Sequence, residues 1–504
     1  MNPLMRVMRR MVLGSLVRAL HRGGLCSTLF ALRGFERIRW AVGREGAWQQ
    51  HDFARRRVPA YRALVGGRRA VRIEEVPVID KRSYIAPFAI EARCVDGVLP
   101  TRGILFDESS GSSGLPTNWV RGADERASNR RTIRVGLRQR LGRGPLFFLN
   151  AFALGPWATG VNITLSLASW GRVKSVGPDL AKIGNTLRQF GPDHHYVIMG
   201  YPPFLKQVID QLDVDWSQYR VSMIFGGEGM SESMRRYVQA SGIPRVFGSY
   251  GASDLELNIA AETEFTINLR RQVEASPRLR RRLLKFPGAT PMIFQYNPAD
   301  FFLETSHAGE LLVTVCRPGH VTPKVRYNIH DLGHVMRWPE LVAILREEGI
   351  DPEGLEPGGL DLPVLFLYGR ADASIAYYGC KVSPADVQEA LFHVPELAAV
   401  TDGFQLEVRE DAHGDKGLFV HLELVAGAVD DGLAALGHQL FDALARVNQD
   451  FRESRRIAAS ALPPCVVLHA TGTGPFVAQD IRLKRQYLAP GPTASVSPVS
   501  TVPA

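Results

Sequence analysis

Between about residues 100 and 335, short apolar runs alternate with stretches of helical periodicity. PPFLKQVIDQL (202–212) and SESMRRYVQASG (231–242) repeat apolar residues at the spacing of an amphipathic helix. The intervening runs have the length of buried strands: PLFFLNAFAL (145–154), HYVIMG (195–200), SMIFGG (222–227) and RVFGSYG (245–251). Strand and helix in alternation predict an α/β fold, with a sheet covered by helices.

The chain after about residue 367 has a different pattern. Helical PADVQEALFHV (384–394) precedes strand-like FQLEVRE (404–410) and LFVHLELVAG (418–427), which predicts a small α+β domain. The final stretch is rich in Pro, Ser and Thr and lacks apolar periodicity, so it is predicted to be disordered. The predicted division is a basic N-terminal extension (1–45), a large domain (46–367), a small mobile domain (368–490) and a disordered tail (491–504).

Composition narrows the possible functions. The 504 residues are 45% hydrophobic and 22% charged, which is usual for globular proteins and excludes a fibrous or wholly disordered chain. Sixty Lys and Arg against 51 Asp and Glu give a formal charge of +9. This mild bias suits an anionic small ligand such as a nucleotide, and no nucleic-acid partner is expected. The five scattered cysteines include no CxxC pair, which argues against a disulfide framework or zinc site and favours a reducing, cytoplasmic location.

The N-terminal segment is basic but too short to cross a membrane. Its most apolar part, residues 11–20, is half the length of a membrane-spanning helix, which needs about 20 residues, and contains Arg18. It is predicted to form a basic amphipathic helix. Such a helix either packs on the domain surface or makes weak contact with a membrane surface.

The segment FDESSGSSGLPT (106–117) combines two glycines and four serines. Glycine permits close backbone approach, and backbone N–H groups and hydroxyls can surround a phosphate. The segment lacks the GxxxxGK[ST] pattern of a P-loop and contains no lysine. Taken alone, it is either a phosphate-binding loop or an ordinary flexible loop.

Several motifs, in order along about residues 45–490, resemble those of the adenylate-forming superfamily, the AMP-dependent acyl-CoA synthetases and ligases. The closest resemblance is to its phenylacetate–CoA ligase-like branch, which includes capsule-biosynthesis adenylating proteins. The motifs are SSGSSGLPT (109–117), FGPDHHYVIMGYPPFL (190–205), FGGEGMSESMRR (225–236), YGASD (250–254), PKVRYNIHDLG (323–333) and YGRADASIAYYGCKVSPADVQEAL (368–391). The resemblance implies a large N-terminal domain and a small C-terminal domain that rotates over it.

The resemblance also implies a nucleotide site in the large domain. Asp254 would hold Mg²⁺, Tyr250 would stack near the adenine, and Asp331 would accept hydrogen bonds from both ribose hydroxyls. Backbone at Gly226 to Glu228 would face the adenine. The full set of implied nucleotide-binding residues is Ser109, Ser110, Gly111, Ser112, Ser113, Gly114, Thr117, Gly226, Gly227, Glu228, Tyr250, Gly251, Ser253, Asp331 and Arg370.

The remaining implied roles lie in the C-terminal part. Arg370 would contact the ribose at the domain junction, and Asp372 would be the hinge. Tyr378 and Gly379 would border the tunnel of the acceptor thiol. Lys484, the last lysine, would be the catalytic lysine that bridges the substrate carboxylate and the α-phosphate; a basic surface stripe with its neighbouring arginines is the alternative.

Four positions depart from the family pattern. Leu115 replaces the usual lysine of the phosphate loop, and Asp254 replaces the usual glutamate, which is one methylene longer. Asn328 and His330 replace the usual arginine and glycine. These departures leave open the rate of adenylation and the identity of the acyl acceptor.

The resemblance implies a ligase that uses ATP and Mg²⁺ to adenylate a carboxylic acid. The acyl group would then pass to an acceptor, with CoA as the expected co-substrate. Two alternatives remain: an amide-forming ligase with an amine acceptor, and a non-catalytic nucleotide-binding scaffold. A carrier protein as acceptor is also open. Phe152, Trp157 and Tyr201 hint at an aromatic or apolar acid, although core packing explains them equally well.

Overall fold

The computed structural model describes most of the chain. The described residues are 32–68, 70–109, 117–286, 290–370, 374–410, 415–428, 432–457, 464–477 and 501–503, together with isolated positions between 12 and 19. The predicted phosphate-loop residues Ser110 to Gly114, and Leu115, therefore lie outside them. Asp372 and Lys484 lie outside them as well, as does nearly all of the basic N-terminal segment.

The residues that the structure describes form nineteen strands, numbered in chain order. They are β1 (Leu105–Ser109), β2 (Thr117–Arg121), β3 (Leu146–Asn150), β4 (Arg172–Ser175), β5 (His195–Gly200), β6 (Arg220–Gly226), β7 (Arg245–Tyr250), β8 (Ala260–Ala261), β9 (Met292–Gln295), β10 (Phe301–Thr305), β11 (Glu310–Val315), β12 (Tyr327–Met336), β13 (Val364–Arg370), β14 (Ile375–Tyr377), β15 (Cys380–Val382), β16 (Thr401–Glu410), β17 (Lys416–Leu424), β18 (Cys465–His469) and β19 (Thr501–Pro503).

The α-helices of the two domains are separate in sequence. Those of the large domain are Glu36–Arg57, Pro59–Val65, Ala123–Leu141, Ala158–Leu167, Leu180–Phe190, Pro202–Gln211, Glu232–Ala240, Glu264–Ala275, Pro277–Leu283, Trp338–Glu347 and Pro352–Leu355. Those of the small domain are Pro384–Phe392, Pro395–Val400, Gly437–Val447 and Gln449–Ile457. None of the described helices combines the length and apolar composition needed to cross a bilayer.

An eleven-stranded sheet forms the centre of the large domain, in the order β10-β11-β12-β13-β9-β8-β7-β6-β5-β3-β4. The strands from β4 to β7 pair in parallel and the others pair antiparallel. Within the parallel half the chain runs outward from β3 to β4 and then returns to β5 on the other side. In sheets of this order, ligands bind at the carboxyl ends of the strands near that reversal.

The parallel strands are buried because helices cover both faces. Along β6 the side chains alternate between two apolar clusters, with Met223 and Phe225 in one and Ile224 in the other. The covering helices begin at residues that favour a helix N-terminus, at positions that the sequence predicts. Ser231 accepts a hydrogen bond from the backbone of Met234, and Pro202 occupies the first helical position, where its missing N–H costs nothing.

β1 and β2 form a separate antiparallel hairpin, in which Ser109 lies opposite Thr117. The predicted phosphate loop is the connection between these strands. The hairpin is joined to the sheet by Glu108, whose backbone N–H donates to the carbonyl of Pro156 over 2.8 Å. The predicted loop therefore begins and ends on strands with a fixed register.

The small domain has its own apolar core. β16, β17 and β18 form a sheet, and the helices Pro384–Phe392 and Gly437–Val447 pack on it through residues such as Leu406, Val420 and Phe441. The predicted fold class, a large α/β domain with a small α+β domain, is confirmed by this architecture.

Two boundaries and one segment differ from the sequence predictions. The helix Glu36–Arg57 crosses the boundary predicted at residue 45, and Glu36 and Arg39 pair with Arg337 and Asp361 of the large domain. β13 runs past residue 367 because its last residues still pair with β12. β19, in the tail whose composition predicts disorder, pairs with β18, so the expectation does not hold for those three residues.

Candidate functional site

The ends of β3, β5, β6 and β7 form one edge of the sheet, here called the carboxyl edge. The predicted motifs FGGEG and YGASD begin at the last residues of β6 and β7, so Gly226, Gly227, Glu228 and Tyr250 come together there. Gly251 and Ser253 follow Tyr250 in a loop that is held by a hydrogen bond from Ala252 N to Glu256 O. Parallel pairing explains this juxtaposition, because it places all strand ends on the same side.

Asp331 lies at the centre of a three-residue polar cluster beside this edge. Tyr250 donates its hydroxyl to Asp331 Oδ2 over 2.6 Å, and Arg370 Nη1 lies 3.2 Å from Asp331 Oδ1. Arg370 is the direct cross-strand partner of Asp331 in the β12–β13 pair, which fixes the ion pair. Burial, together with the neighbouring Asp331 carboxylate, raises the pKa of Tyr250 well above its usual value, so Tyr250 acts as a hydrogen-bond donor.

The phosphate hairpin and Asp254 are linked by a lysine that the sequence reasoning missed. Lys81 donates to Ser109 Oγ over 3.2 Å, and its ammonium lies 3.5 Å from Asp254 Oδ1. Trp119 also donates to Ser109 Oγ, over 2.9 Å, and Tyr327 donates to Asp254 Oδ2 over 2.9 Å. Lys81 comes from a segment far away in sequence, so no local spacing indicated it.

Another lysine, Lys324, is buried behind this group. The Lys324 ammonium is 5.1 Å from the centre of the Trp119 ring and contacts Thr322. Burial, with repulsion by Arg121, lowers the pKa of Lys324 to about 7. Its charge therefore changes near neutral pH, close to Asp254.

Arg121 fixes the hairpin to the loop that carries Asp254. The fully buried guanidinium donates to Asp107 on β1 over 2.8 Å and to the backbone carbonyls of Ser253 and Leu255. These two carbonyls flank Asp254 in the chain. Arg121 thereby connects both strands of the phosphate hairpin to the loop that carries Asp254.

Two carboxylates and an imidazole cluster behind Arg121. They belong to Glu125, Glu256 and His320. Two guanidinium groups already neutralise them, because Arg121 pairs with Glu125 and Arg317 pairs with Glu256. A cation would have to compete with these buried arginines. The cluster is therefore a structural ionic network in this part of the chain.

Glu228 has a different environment from the one implied by the family motif. Its buried carboxylate accepts a hydrogen bond from Gly379 N over 2.9 Å and from Lys416 Nζ over 2.7 Å. Both donors belong to the small domain. Glu228 thus joins the two domains, a role that depends on a contact between distant parts of the chain.

The turn at Tyr378 and Gly379 lies against the carboxyl edge. The Tyr201 ring lies between Gly227 and Gly379, which both have positive φ, at +84° and +81°. A Cβ at Gly227 would lie 2.6 Å from Tyr201 Cε1, and one at Gly379 would lie 2.7 Å from Tyr201 Cζ. Only glycine fits at both positions, and Tyr201 packs between the two domains.

Two further polar contacts join the domains near this turn. Lys206 pairs with Asp415 over 3.1 Å and with Asp210 over 2.6 Å, and Ser231 donates to Glu410. Together with the contacts of Glu228, they hold the small domain in one orientation over the edge.

Two of the departures from the family pattern have a structural explanation. Asn328 Nδ2 donates to Glu310 Oε2 over 2.8 Å, and His330 Nδ1 lies 2.9 Å from Glu310 Oε1. His330 Nε2 also lies 3.4 Å from Asp80. The two residues form a polar cluster with acidic partners that lies next to Asp331 in the chain.

The fold is shared with a solved structure. No protein-family model matches this sequence, and no curated protein matches it. Among solved structures, a 2-hydroxyisobutyryl-CoA ligase in complex with 2-HIB-AMP and CoA in the thioesterification state matches 91% of this chain and 90% of its own, with 16% identity and a TM-score of 0.60. An amide bond synthetase from Marinactinospora thermotolerans matches 70% of this chain and 66% of its own, with 14% identity and a TM-score of 0.44. The chain therefore has the fold of the 2-hydroxyisobutyryl-CoA ligase, which agrees with the predicted large α/β domain and small α+β domain.

Proposed function

We propose that the protein joins a carboxylic acid to AMP at the expense of ATP and then transfers the acyl group to the thiol of CoA. The observation that carries this proposal is the set of groups gathered at the carboxyl edge. Asp331 with Arg370, the phosphate hairpin with Lys81 and Asp254, and the turn at Tyr378 and Gly379 all lie there. The fold shared with the 2-hydroxyisobutyryl-CoA ligase supports the same conclusion.

In the first step, a carboxylate oxygen of the acid attacks the α-phosphorus of ATP, the bond to the bridging oxygen breaks, and pyrophosphate leaves. Negative charge grows on the α-phosphate, so donors aimed at this position lower the barrier. Lys81 supplies a positive charge at the phosphate hairpin, where Leu115 replaces the lysine of the family pattern. Asp331 suits the ribose, since a carboxylate has two oxygens that can each accept a hydroxyl hydrogen bond.

Mg²⁺ fits the donor set around Asp254, because this cation prefers carboxylate, phosphate and water oxygens. It would neutralise charge on the phosphates. Both oxygens of Asp254 already have a partner, Lys81 on one side and Tyr327 on the other. Because these partners occupy both oxygens, and because Asp is one methylene shorter than Glu, we expect Asp254 to contact the ion through a water molecule.

In the second step, the thiol sulfur attacks the acyl carbon, the bond to AMP breaks, and the thiol proton passes to solvent. The turn at Tyr378 and Gly379 supports CoA as the acceptor, since it lies against the carboxyl edge in the orientation held by Glu228. The solved structure with the same fold holds CoA in the thioesterification state. This arrangement favours CoA over the amine acceptor.

The test is ATP–pyrophosphate exchange with a panel of carboxylic acids, followed by assay of CoA and amine consumption. Exchange that requires an acid, together with loss of free CoA, is the expected result. Exchange with consumption of an amine and not of CoA would favour the amide-forming ligase. Absence of exchange with every acid, in protein that binds ATP, would favour the non-catalytic scaffold.

Replacement of Asp254 by Asn should weaken adenylation at limiting Mg²⁺ and leave the fold intact, because the two side chains have the same shape. We expect about a tenfold rise in the Mg²⁺ concentration for half-maximal exchange, the scale of losing one charged contact. The measurement is exchange rate against Mg²⁺ concentration. An unchanged Mg²⁺ curve would remove Asp254 from the metal site.

Replacement of Lys416 by Met should slow the second step selectively, because it removes the ammonium that holds Glu228 from the small domain. Loss of a hydrogen bond to a charged group predicts about a tenfold to hundredfold slower thioester formation from presynthesised acyl-AMP and CoA. The exchange reaction should keep its rate. Lys182→Met, at an exposed lysine that pairs with Asp179, is the matched control. Equal slowing of both half-reactions would contradict the proposed role of this ion pair.

A further inference from the structure

A cavity with about 710 Å³ of empty space, its mouth included, lies between the helix Ala123–Leu141 and the parallel strands. Ser249 lines it and directly precedes Tyr250, so the cavity reaches the carboxyl edge. Most of its wall is apolar, through Ile133, Leu137, Ile163, Met199, Ile224 and Phe247.

Arg140 also lines this cavity and has an unusual set of partners. Its guanidinium donates to two backbone carbonyls, that of Glu262 and, over 2.9 Å, that of Gly136 in its own helix. Within the described part of the chain no carboxylate forms an ion pair with it. The carboxylate of Glu262 is already engaged, with both oxygens bonded to Arg235 at 2.7 and 2.9 Å.

The Arg140 side chain is partly buried, and burial of a charge without an ion pair costs free energy. Burial lowers the pKa of Arg140 to about 10, against the attraction of the Glu356 and Glu262 carboxylates, so the group is still charged at neutral pH. The group can therefore receive an anion that enters the cavity.

The strand register gives the depth of Arg140. Tyr250 pairs with Ala260 and Ser249 pairs with Ala261, and the backbone N–H of Glu262 donates to the carbonyl of Gly248. The carbonyl of Glu262, and with it the guanidinium, thus lies at the level of Gly248. Two residues of strand separate this level from Tyr250, or about 7 Å.

One acidic group, Asp300, lines another part of the cavity. Asp300 Oδ2 accepts hydrogen bonds from Asn297 over 3.0 Å and from Thr132 over 3.4 Å. The Arg140 guanidinium bonds to the carbonyl of Gly136, which is four residues from Thr132 on the same helix, or about 6 Å. The two hydrogen bonds to Asp300 Oδ2 partly offset the repulsion between this carboxylate and an anion at Arg140.

We propose that the acid substrate carries a second anionic group at the far end of an apolar body, and that Arg140 binds this group. The proposal rests on the proposed function, since the reactive carboxylate must lie at the carboxyl edge. It narrows the substrate class to acids with a distal carboxylate, or a comparable anion, separated from the reactive carboxylate by an apolar spacer several carbons long.

The experiment compares pairs of acids that differ only at the far end, hexanoate with adipate and octanoate with suberate, in ATP–pyrophosphate exchange. We expect a higher kcat/KM for the diacid of at least one pair, and loss of this preference by about 10²-fold in Arg140→Met. Arg140→Glu should instead favour the ω-amino acid of the same length. Arg134→Met, at an exposed arginine of the same helix, is the matched control and should keep the wild-type preference.

A purely structural role of Arg140 gives a different result. Equal loss with both members of a pair in Arg140→Met, or equal kcat/KM for both members in the wild-type protein, would overturn the proposal. Calorimetric binding of the same acids without ATP separates it from the proposed function. If no acid supports exchange but suberate or adipate binds to the wild-type protein and not to Arg140→Met, the adenylation proposal fails and Arg140 is still an anion-binding residue. If neither diacid binds better than its monoacid, the assignment of Arg140 is wrong.

Discussion

Replacement of Lys484 by Ala should slow acyl-AMP formation by about 10²–10³, the scale for the loss of one donor that stabilises charge in a transition state. A lysine at this position would bridge the substrate carboxylate and the α-phosphate during adenylation. The measurement is ATP–pyrophosphate exchange with an acid that the wild-type protein accepts. The same variant, given presynthesised acyl-AMP, should transfer the acyl group to CoA at nearly the wild-type rate.

Two other variants sharpen this test. Arg485→Ala removes the neighbouring positive charge and should have little effect, whereas a basic surface stripe would make the two replacements equivalent. Asp372→Pro should show the opposite pattern, with exchange retained and transfer slowed, because a fixed φ at the hinge hinders rotation of the small domain. Loss of the same half-reaction in Lys484→Ala and Asp372→Pro would rule out alternation of the domain between two faces.

Replacement of Asp331 by Ala should raise the KM for ATP by about 10²-fold, because two hydrogen bonds from ribose hydroxyls to a charged group would be lost. The KM for the acid should change much less, as the proposed contacts of Asp331 are with the nucleotide. Steady-state kinetics with each substrate varied in turn measure both values. The variant also removes the carboxylate that contacts Arg370 and that accepts the Tyr250 hydroxyl.

Asp331→Asn is the matched control for that loss, because the amide oxygen can still accept the Tyr250 hydroxyl. It should bind ATP better than Asp331→Ala and less well than the wild type. An equal rise in both KM values in Asp331→Ala, together with a lower melting temperature, would point to a folding defect and would contradict the assignment to the ribose.

The parts of the fold that depend on local patterns could be predicted from the sequence. The buried runs that end at Gly200, Gly226 and Tyr250 are strands. The length of each apolar run and the glycines beside it can be recognised in the sequence alone. Parallel pairing then brings their ends together without further information. The order of the strands and the joining of the antiparallel half into one sheet depend on long-range pairing and were not predicted.

The same distinction explains which site residues were missed. Lys81, Arg121 and Lys416 act through partners that are remote in sequence, so no spacing indicates them. The family pattern implies a nucleotide contact through the backbone of Glu228. The hydrogen bonds of its carboxylate to the small domain depend on the orientation of that domain. Arg140 is one of several arginines in a helix that reads as a solvated face, and only the cavity distinguishes it. The roles of Lys484, Asp372 and Ser110 to Gly114 remain predictions.

The packing of Tyr201 between Gly227 and Gly379 has a consequence for how sequences with this fold can diverge. Each glycine leaves too little space for a methyl group beside the ring, and the two belong to different domains. We therefore expect substitutions at these three positions to occur together. A relative with alanine at either glycine position is expected to carry a smaller side chain in place of the tyrosine, and a lineage that loses the tyrosine is released from the need for both glycines.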